Sequence, residues 1–160
     1  MNAETPELLP GHIDRMKFKG HFSAKLKKAD GRVIEYEQRN LVVDVGVDFI
    51  CDAMAKPSAR PNVLSHIGIG EGTTAADAGD TALETELDRN AATYTHNAGD
   101  AFFTMEATFG AGEGTGDVSE AGLFNAASTG TMFNRVVFSA IPKEASDTLD
   151  ITFTITFTPA

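Results

Sequence analysis

The stretch LDITFTITF, residues 149–157, leaves the chain one regular conformation. Leu149, Ile151, Phe153, Ile155 and Phe157 occupy odd positions, while Asp150, Thr152, Thr154 and Thr156 occupy even ones. A strand turns successive side chains to opposite faces, so these five apolar groups share one face; a helix would scatter them around its circumference. The alternation predicts a strand in a sheet with one buried and one polar side.

The same period recurs along the chain. Met16, Phe18, Gly20, Phe22, Ala24 and Leu26 stand opposite Lys17, Lys19, His21, Ser23 and Lys25, and after ADG the pattern resumes with Ile34, Tyr36 and Gln38. Loop length sets the register of this hairpin. A two-residue loop would put Leu26 against Glu35, mixing the faces, whereas a three-residue loop Ala29-Asp30-Gly31 pairs Leu26 with Ile34, Ala24 with Tyr36 and Lys25 with Glu35. A one-residue slip turns every side chain over, so the three-residue loop is predicted, with Gly31 in the left-handed position. Further strands are predicted over residues 63–69, 92–96, 102–109, 118–125 and 132–141. One helix is predicted over residues 44–55, where Val43, Val47, Ile50, Cys51 and Met54 recur at helical spacing, Asp44 offers a cap and KPSARP ends the run. Seven or eight short strands, glycine-rich turns such as GAGEGTGD and one short helix predict a mainly β chain, an antiparallel β-sandwich or jelly-roll-like barrel.

At 160 residues, with 42% apolar and 22% charged residues, the chain fits one domain with a core of its own. The first fifteen residues, MNAETPELLPGHIDR, hold two prolines and three acids without an apolar run, and read as a flexible arm rather than a signal peptide, ahead of a single β domain over 16–160. The net charge of −10 disfavours nucleic acid as a partner. The charge is uneven: eight Lys and Arg stand against six acids through Asn40, and five against seventeen thereafter. No run of 18 apolar residues suggests a membrane partner. Cys51 is the single cysteine, so no internal disulfide forms, and its place on the apolar stripe of the helix predicts a small core residue rather than a nucleophile.

HIGIGEGTTAADAGDTALETELDRN, residues 66–90, is the segment that most invites a chemical reading. A dinucleotide loop needs its third glycine three places after the second and then a helix, but Gly68, Gly70 and Gly72 alternate, and a Walker loop needs Gly-Lys-Ser/Thr. Asp77, Asp80, Glu84, Glu86 and Asp88 would also repel phosphate. Asp77, Asp80 and Glu84 are donors of the kind Ca²⁺ takes, yet their spacing matches neither an EF-hand nor a glycine-aspartate repeat, and a solvated acidic loop is the reading preferred. His12, His21, His66 and His96 are scattered without zinc spacing. No nucleophile elbow is present, so no catalytic residue, metal or cofactor is expected. The segment reads instead as a strand with Ile67 and Ile69 facing the core and Gly68 and Gly70 on the opposite side, open to close approach by another backbone. A long loop follows, and TALETELDR adds a helical turn that brings Leu83 and Leu87 back onto the body.

In order, NLVVDVGVDFICDAM, then LSHIGIGEGTTAADAGDTALETELDR, then ATFGAGEGTGDVSEAGLFNAASTGTMFNRVVFSAIPKEASDTLDITFTITF resemble a group of small structural proteins encoded by tailed bacteriophages, of decoration or tail-fibre-like type. The resemblance covers roughly residues 40–157 and implies a virion component, assembled in the host cytoplasm, with no enzymatic activity. A decoration or cement protein, which holds a head shell together by contacts across capsid subunits, is the reading favoured; a tail, adaptor or fibre-type protein for host attachment is the alternative. The implied partners are the major capsid protein or other virion proteins and further copies of the chain. Lys17, Lys19 and Lys25 on the basic hairpin, with Gly68 and Gly70, are the expected interface residues.

Overall fold

The structure is a computed structural model that describes residues 16–159. The arm expected over residues 1–15, His12 included, lies outside them. Nine strands form one antiparallel sheet: β1 (Met16–Lys27), β2 (Val33–Val42), β3 (His66–Gly70), β4 (Glu86–Ala91), β5 (Thr93–Thr95), β6 (Phe102–Phe109), β7 (Gly116–Phe124), β8 (Met132–Lys143) and β9 (Thr148–Pro159), with helix α1 (Asp44–Ala55) between β2 and β3. The order across the sheet is β4-β3-β7-β8-β2-β1-β9-β6-β5.

The two edge strands, β4 and β5, are consecutive in the chain and separated only by Ala92. The polypeptide leaves one edge of the sheet and joins the other within a single residue, so the sheet is curled into a nearly closed barrel. Asn90 on β4 bridges the seam, its Nδ2 donating to the Thr108 carbonyl on β6 at 2.9 Å and to Glu113 Oε2 at 3.0 Å. Closure of this kind shields the edges that would otherwise template pairing with other chains.

The interior is filled by the faces that alternation assigned to it. Phe22, Leu26, Ile67, Ile69, Met105, Phe109, Leu149, Ile151, Phe153 and Ile155 are buried in one cluster. Phe22 stacks on Phe138 with ring centroids 4.7 Å apart and lies 5.4 Å from Phe153. The hairpin register is the one that keeps the faces unmixed: Leu26 pairs Ile34, Ala24 pairs Tyr36 and Lys25 pairs Glu35. Gly31, at φ +88°, closes the turn, and its N–H donates to the Lys28 carbonyl at 3.0 Å.

Three local expectations are corrected. Residues 86–91 form a strand where a helical turn was expected. The outer edge of β3 offers unpaired backbone groups and β4 satisfies them, so sheet pairing outweighs the helical propensity of TALETELDR. Leu83 and Leu87 consequently pack on different clusters, Leu83 with Phe124 outside the barrel wall and Leu87 against the main core. Helix α1 has the expected bounds, but Val43 is its N-cap and Asp44 belongs to its first turn without capping it. The face α1 turns inward is only partly the one expected: Val43 and Ile50 lie on it, Val47, Cys51 and Met54 do not. Gly46, Phe49 and Ile50 meet the body, and Phe49 lies edge-on to Phe133 at 6.2 Å. Cys51 is therefore exposed rather than a core residue.

Candidate functional site

Residues 71–85, between β3 and β4, return over the outside of the barrel as a strap, and the charges that hold it are the most organised polar group in the described structure. Glu120, on β7, is fully buried. Its Oε1 accepts the backbone N–H of Gly72 at 3.1 Å and of Thr85 at 2.7 Å, and its Oε2 accepts the N–H of Glu84 at 3.0 Å. Both ends of the strap are thus pinned by one carboxylate. Arg135 on β8 donates Nε to the same Oε2 at 2.9 Å, and its Nη2 stands at an equal distance in an orientation that makes an ionic contact but no hydrogen bond. The guanidinium reaches on to Asp80 of the strap, Nη1 donating at 2.8 Å, with Glu84 at 3.6 Å.

The strap is ordered from within as well. Thr74 donates its N–H and hydroxyl to Glu84 at 2.9 and 2.8 Å, the Asp77 N–H donates to Asp80 at 2.9 Å, and Ser119 donates its hydroxyl to the Gly72 carbonyl at 2.9 Å. Asp44 at the start of α1 donates its N–H to Ala78 at 2.8 Å. Burial pushes the Asp80 carboxyl up, but the Asp77 N–H and Arg135 outweigh it and hold the group below its ordinary range. The N–H and hydroxyl of Thr74 hold Glu84 low. Burial pulls the Arg135 guanidinium down, and Asp80 and Glu120 more than restore it.

Beneath the strap lies a second apolar cluster, Val43, Leu83, Phe124 and Met132, on the outer side of the sheet. The glycines make room for it. A Cβ on Gly68 would stand 2.9 Å from the Phe124 ring and 3.3 Å from Leu83, and one on Gly122 would meet Leu83 at 3.3 Å. At Gly70 a Cβ would collide with the Thr85 carbonyl and lie 2.5 Å from Glu120 Oε1. A close backbone approach of the kind expected is made at Gly70 by the chain's own strap, whereas at Gly68 the space is filled by side chains, and both glycines are buried. Arg89 closes the far side. It lies 3.5 Å over the Phe124 ring, forks onto Glu86 at 2.6 and 2.7 Å, and donates to the carbonyls of Ala126 and Thr129.

Asp77, Asp80 and Glu84, the acids weighed as cation ligands, are thus spent on Arg135, on the Thr74 hydroxyl and on local N–H groups. Among the described residues no three His, Cys, Asp or Glu side chains stand together as a metal shell would. Three of the histidines have local partners: His66 the Ser65 hydroxyl at 2.8 Å, His96 the Phe102 carbonyl at 2.8 Å, and His21 Glu37 at 3.9 Å. Lys25 lies 3.4 Å from Glu35 across the hairpin, while Lys17 and Lys19 are exposed on the outer face of β1. Their row runs into a concavity of about 530 Å³ across β2, β1, β9 and β6, where Lys27 and Thr108 share Asp150 at 2.6 and 2.7 Å.

Sequence reasoning missed Glu120 and Arg135. Both stand alone in apolar runs, VSEAGLF and MFNRVVF, and an isolated charge inside a buried strand needs a buried partner. That signal was available, although it does not say which partner. Chemically, the pair is a staple. The Glu120 carboxylate accepts three backbone N–H groups and a guanidinium, which leaves it no free lone pair directed at a substrate. Comparison with protein-family models, with curated proteins and with solved structures finds no significant match to this chain.

Proposed function

We propose that the protein is a structural component of a tailed-phage particle, a decoration or cement protein whose role is contact rather than catalysis. The observation that carries this reading is where the resembling motifs fall. I-x-I-G-x-G lies on β3 and S-E-A-G-L-F-N-A on β7, paired as Gly68 with Gly122 and Gly70 with Glu120. T-A-L-x-x-E-L-x-R supplies Leu83 for the socket between those strands and the Glu86–Arg89 pair that shuts it. The motif residues are spent on fixing a strap to a barrel wall, as a rigid body that works by broad contact requires.

Copy number tests the proposal. Phage particles carrying this chain, purified and measured by quantitative mass spectrometry, are expected to hold on the order of hundreds of copies, in proportion to the shell subunits. A few copies in a threefold or sixfold ring would support the tail or adaptor reading instead, and absence from purified particles would overturn both.

A further inference from the structure

Two patches on the described surface match each other in spacing and in kind, and neither is matched within one copy. The first is the outward half of α1. Asp44 and Asp48 stand about 6 Å apart along the helix axis, one above the other. Neither makes an ion pair with a described residue, whereas Asp52 is taken by Lys56. Beside them Val47, Cys51 and Met54 form an apolar row at positions i, i+4 and i+7 that the chain leaves uncovered, Val47 at 44% exposure and Met54 at 74%. The second patch is the outer face of the barrel at the start of β1. Lys17 and Lys19 project there about 6.8 Å apart, and they also lack an ion partner among the described residues, while Lys25 and Lys27 are neutralised by Glu35 and Asp150. In the row of Lys19, with Thr156 between them, stands Phe102, an outward aromatic at 39% exposure. Two strand spacings put it about 10 Å from Lys19.

We propose that the surface formed by the outer half of α1 is the docking site for a second copy of this chain, with Lys17 and Lys19 of one copy on Asp44 and Asp48 of the other and Phe102 against the Val47–Met54 row. Two cations at about the spacing of two anions, each pair with apolar surface to one side, fix one register. The apolar contact supplies the burial and the charges supply orientation. The inference stands on these surfaces alone, so it holds or fails whatever particle the protein belongs to.

Sedimentation velocity on the full chain tests it. The mass is expected to rise over about a hundredfold range of concentration and to fall back as salt is added, since exposed charges are screened. Lys17→Glu with Lys19→Glu, and separately Asp44→Lys with Asp48→Lys, should each weaken association about tenfold or more while circular dichroism shows an unchanged fold. Both an equimolar mixture of these two variants and the chain carrying all four changes should associate again. If lysine in the first helical turn unfolds α1, Asp44→Asn with Asp48→Asn takes its place and the same loss is expected. A wild-type chain that stays monomeric throughout, folded variants that associate as wild type does, or a folded four-change chain that stays apart would overturn the proposal.

Discussion

Gly46 is the residue whose role is least expected from its place in a helix. Glycine in an exposed helix interior costs about 1 kcal/mol relative to alanine, so Gly→Ala is ordinarily a stabilising change there. Here a Cβ would run into the Phe133 backbone carbonyl, because α1 lies directly on β8 at this point. Gly46→Ala is therefore expected to lower stability by about 1–3 kcal/mol, as overpacking against a backbone that cannot yield does. Urea titration of the variant checks this, and a gain in stability would mean that α1 does not sit against β8. Gly68, Gly70 and Gly122 follow the same logic at the strap, where the missing Cβ is room for Leu83 and for the Glu120 carboxylate. Alternating glycines announce a close approach in the sequence, but they do not announce what approaches, which is why a neighbouring subunit was expected where the strap lies.

At the scale of elements, period-two alternation and turn length were enough to give β1, β2, β6 and β9 and the register of the first hairpin, since β1, β6 and β9 each turn one face to the core, where a slip would expose it, and β2 rests Tyr36 and Val42 against that core. β4 was not legible. Its pattern, ELDRNA, is polar on both sides, and its strand form comes from the unpaired edge of β3, information held elsewhere in the chain. The inward face of α1 was misread in part: Val43 and Ile50 of the expected stripe do face the body, but Val47, Cys51 and Met54 do not, because the contact is set by Gly46 and Phe49. The strap adds a pH dependence. Asp80 and Glu84 have folded-state pKa values below their ordinary 3.8 and 4.5. A depressed carboxylate stabilises the fold above its unfolded pKa, and that contribution is lost as the pH falls through the folded one. Stability contributed by these two groups is thus level above about pH 5 and declines on further acidification. Asp80→Asn, which removes one of the two groups, should make the decline in urea midpoint below that pH shallower; an unchanged slope would show that the Asp77 N–H and Arg135 do not hold Asp80 below its ordinary range.

The whole molecule is a nearly closed barrel with a second, smaller apolar cluster on its outside, and the strap that covers this cluster belongs to the rigid body only if Glu120 holds both ends of it. Burial of a carboxylate is tolerated because three N–H groups and a guanidinium are organised around it, and loss of that charge leaves the donors without their acceptor. Native-state hydrogen exchange reads every amide at once and so separates the strap from the barrel. The N–H groups of Gly72, Glu84 and Thr85 are expected to be protected in the wild-type chain to a degree approaching the amides of β3 and β7. In Glu120→Gln those three should exchange at least about tenfold faster, while β1, β6 and β9 keep their protection. Fast exchange at Gly72, Glu84 and Thr85 in the wild-type chain, or protection there that survives Glu120→Gln unchanged, would contradict the claim that this buried carboxylate holds the strap.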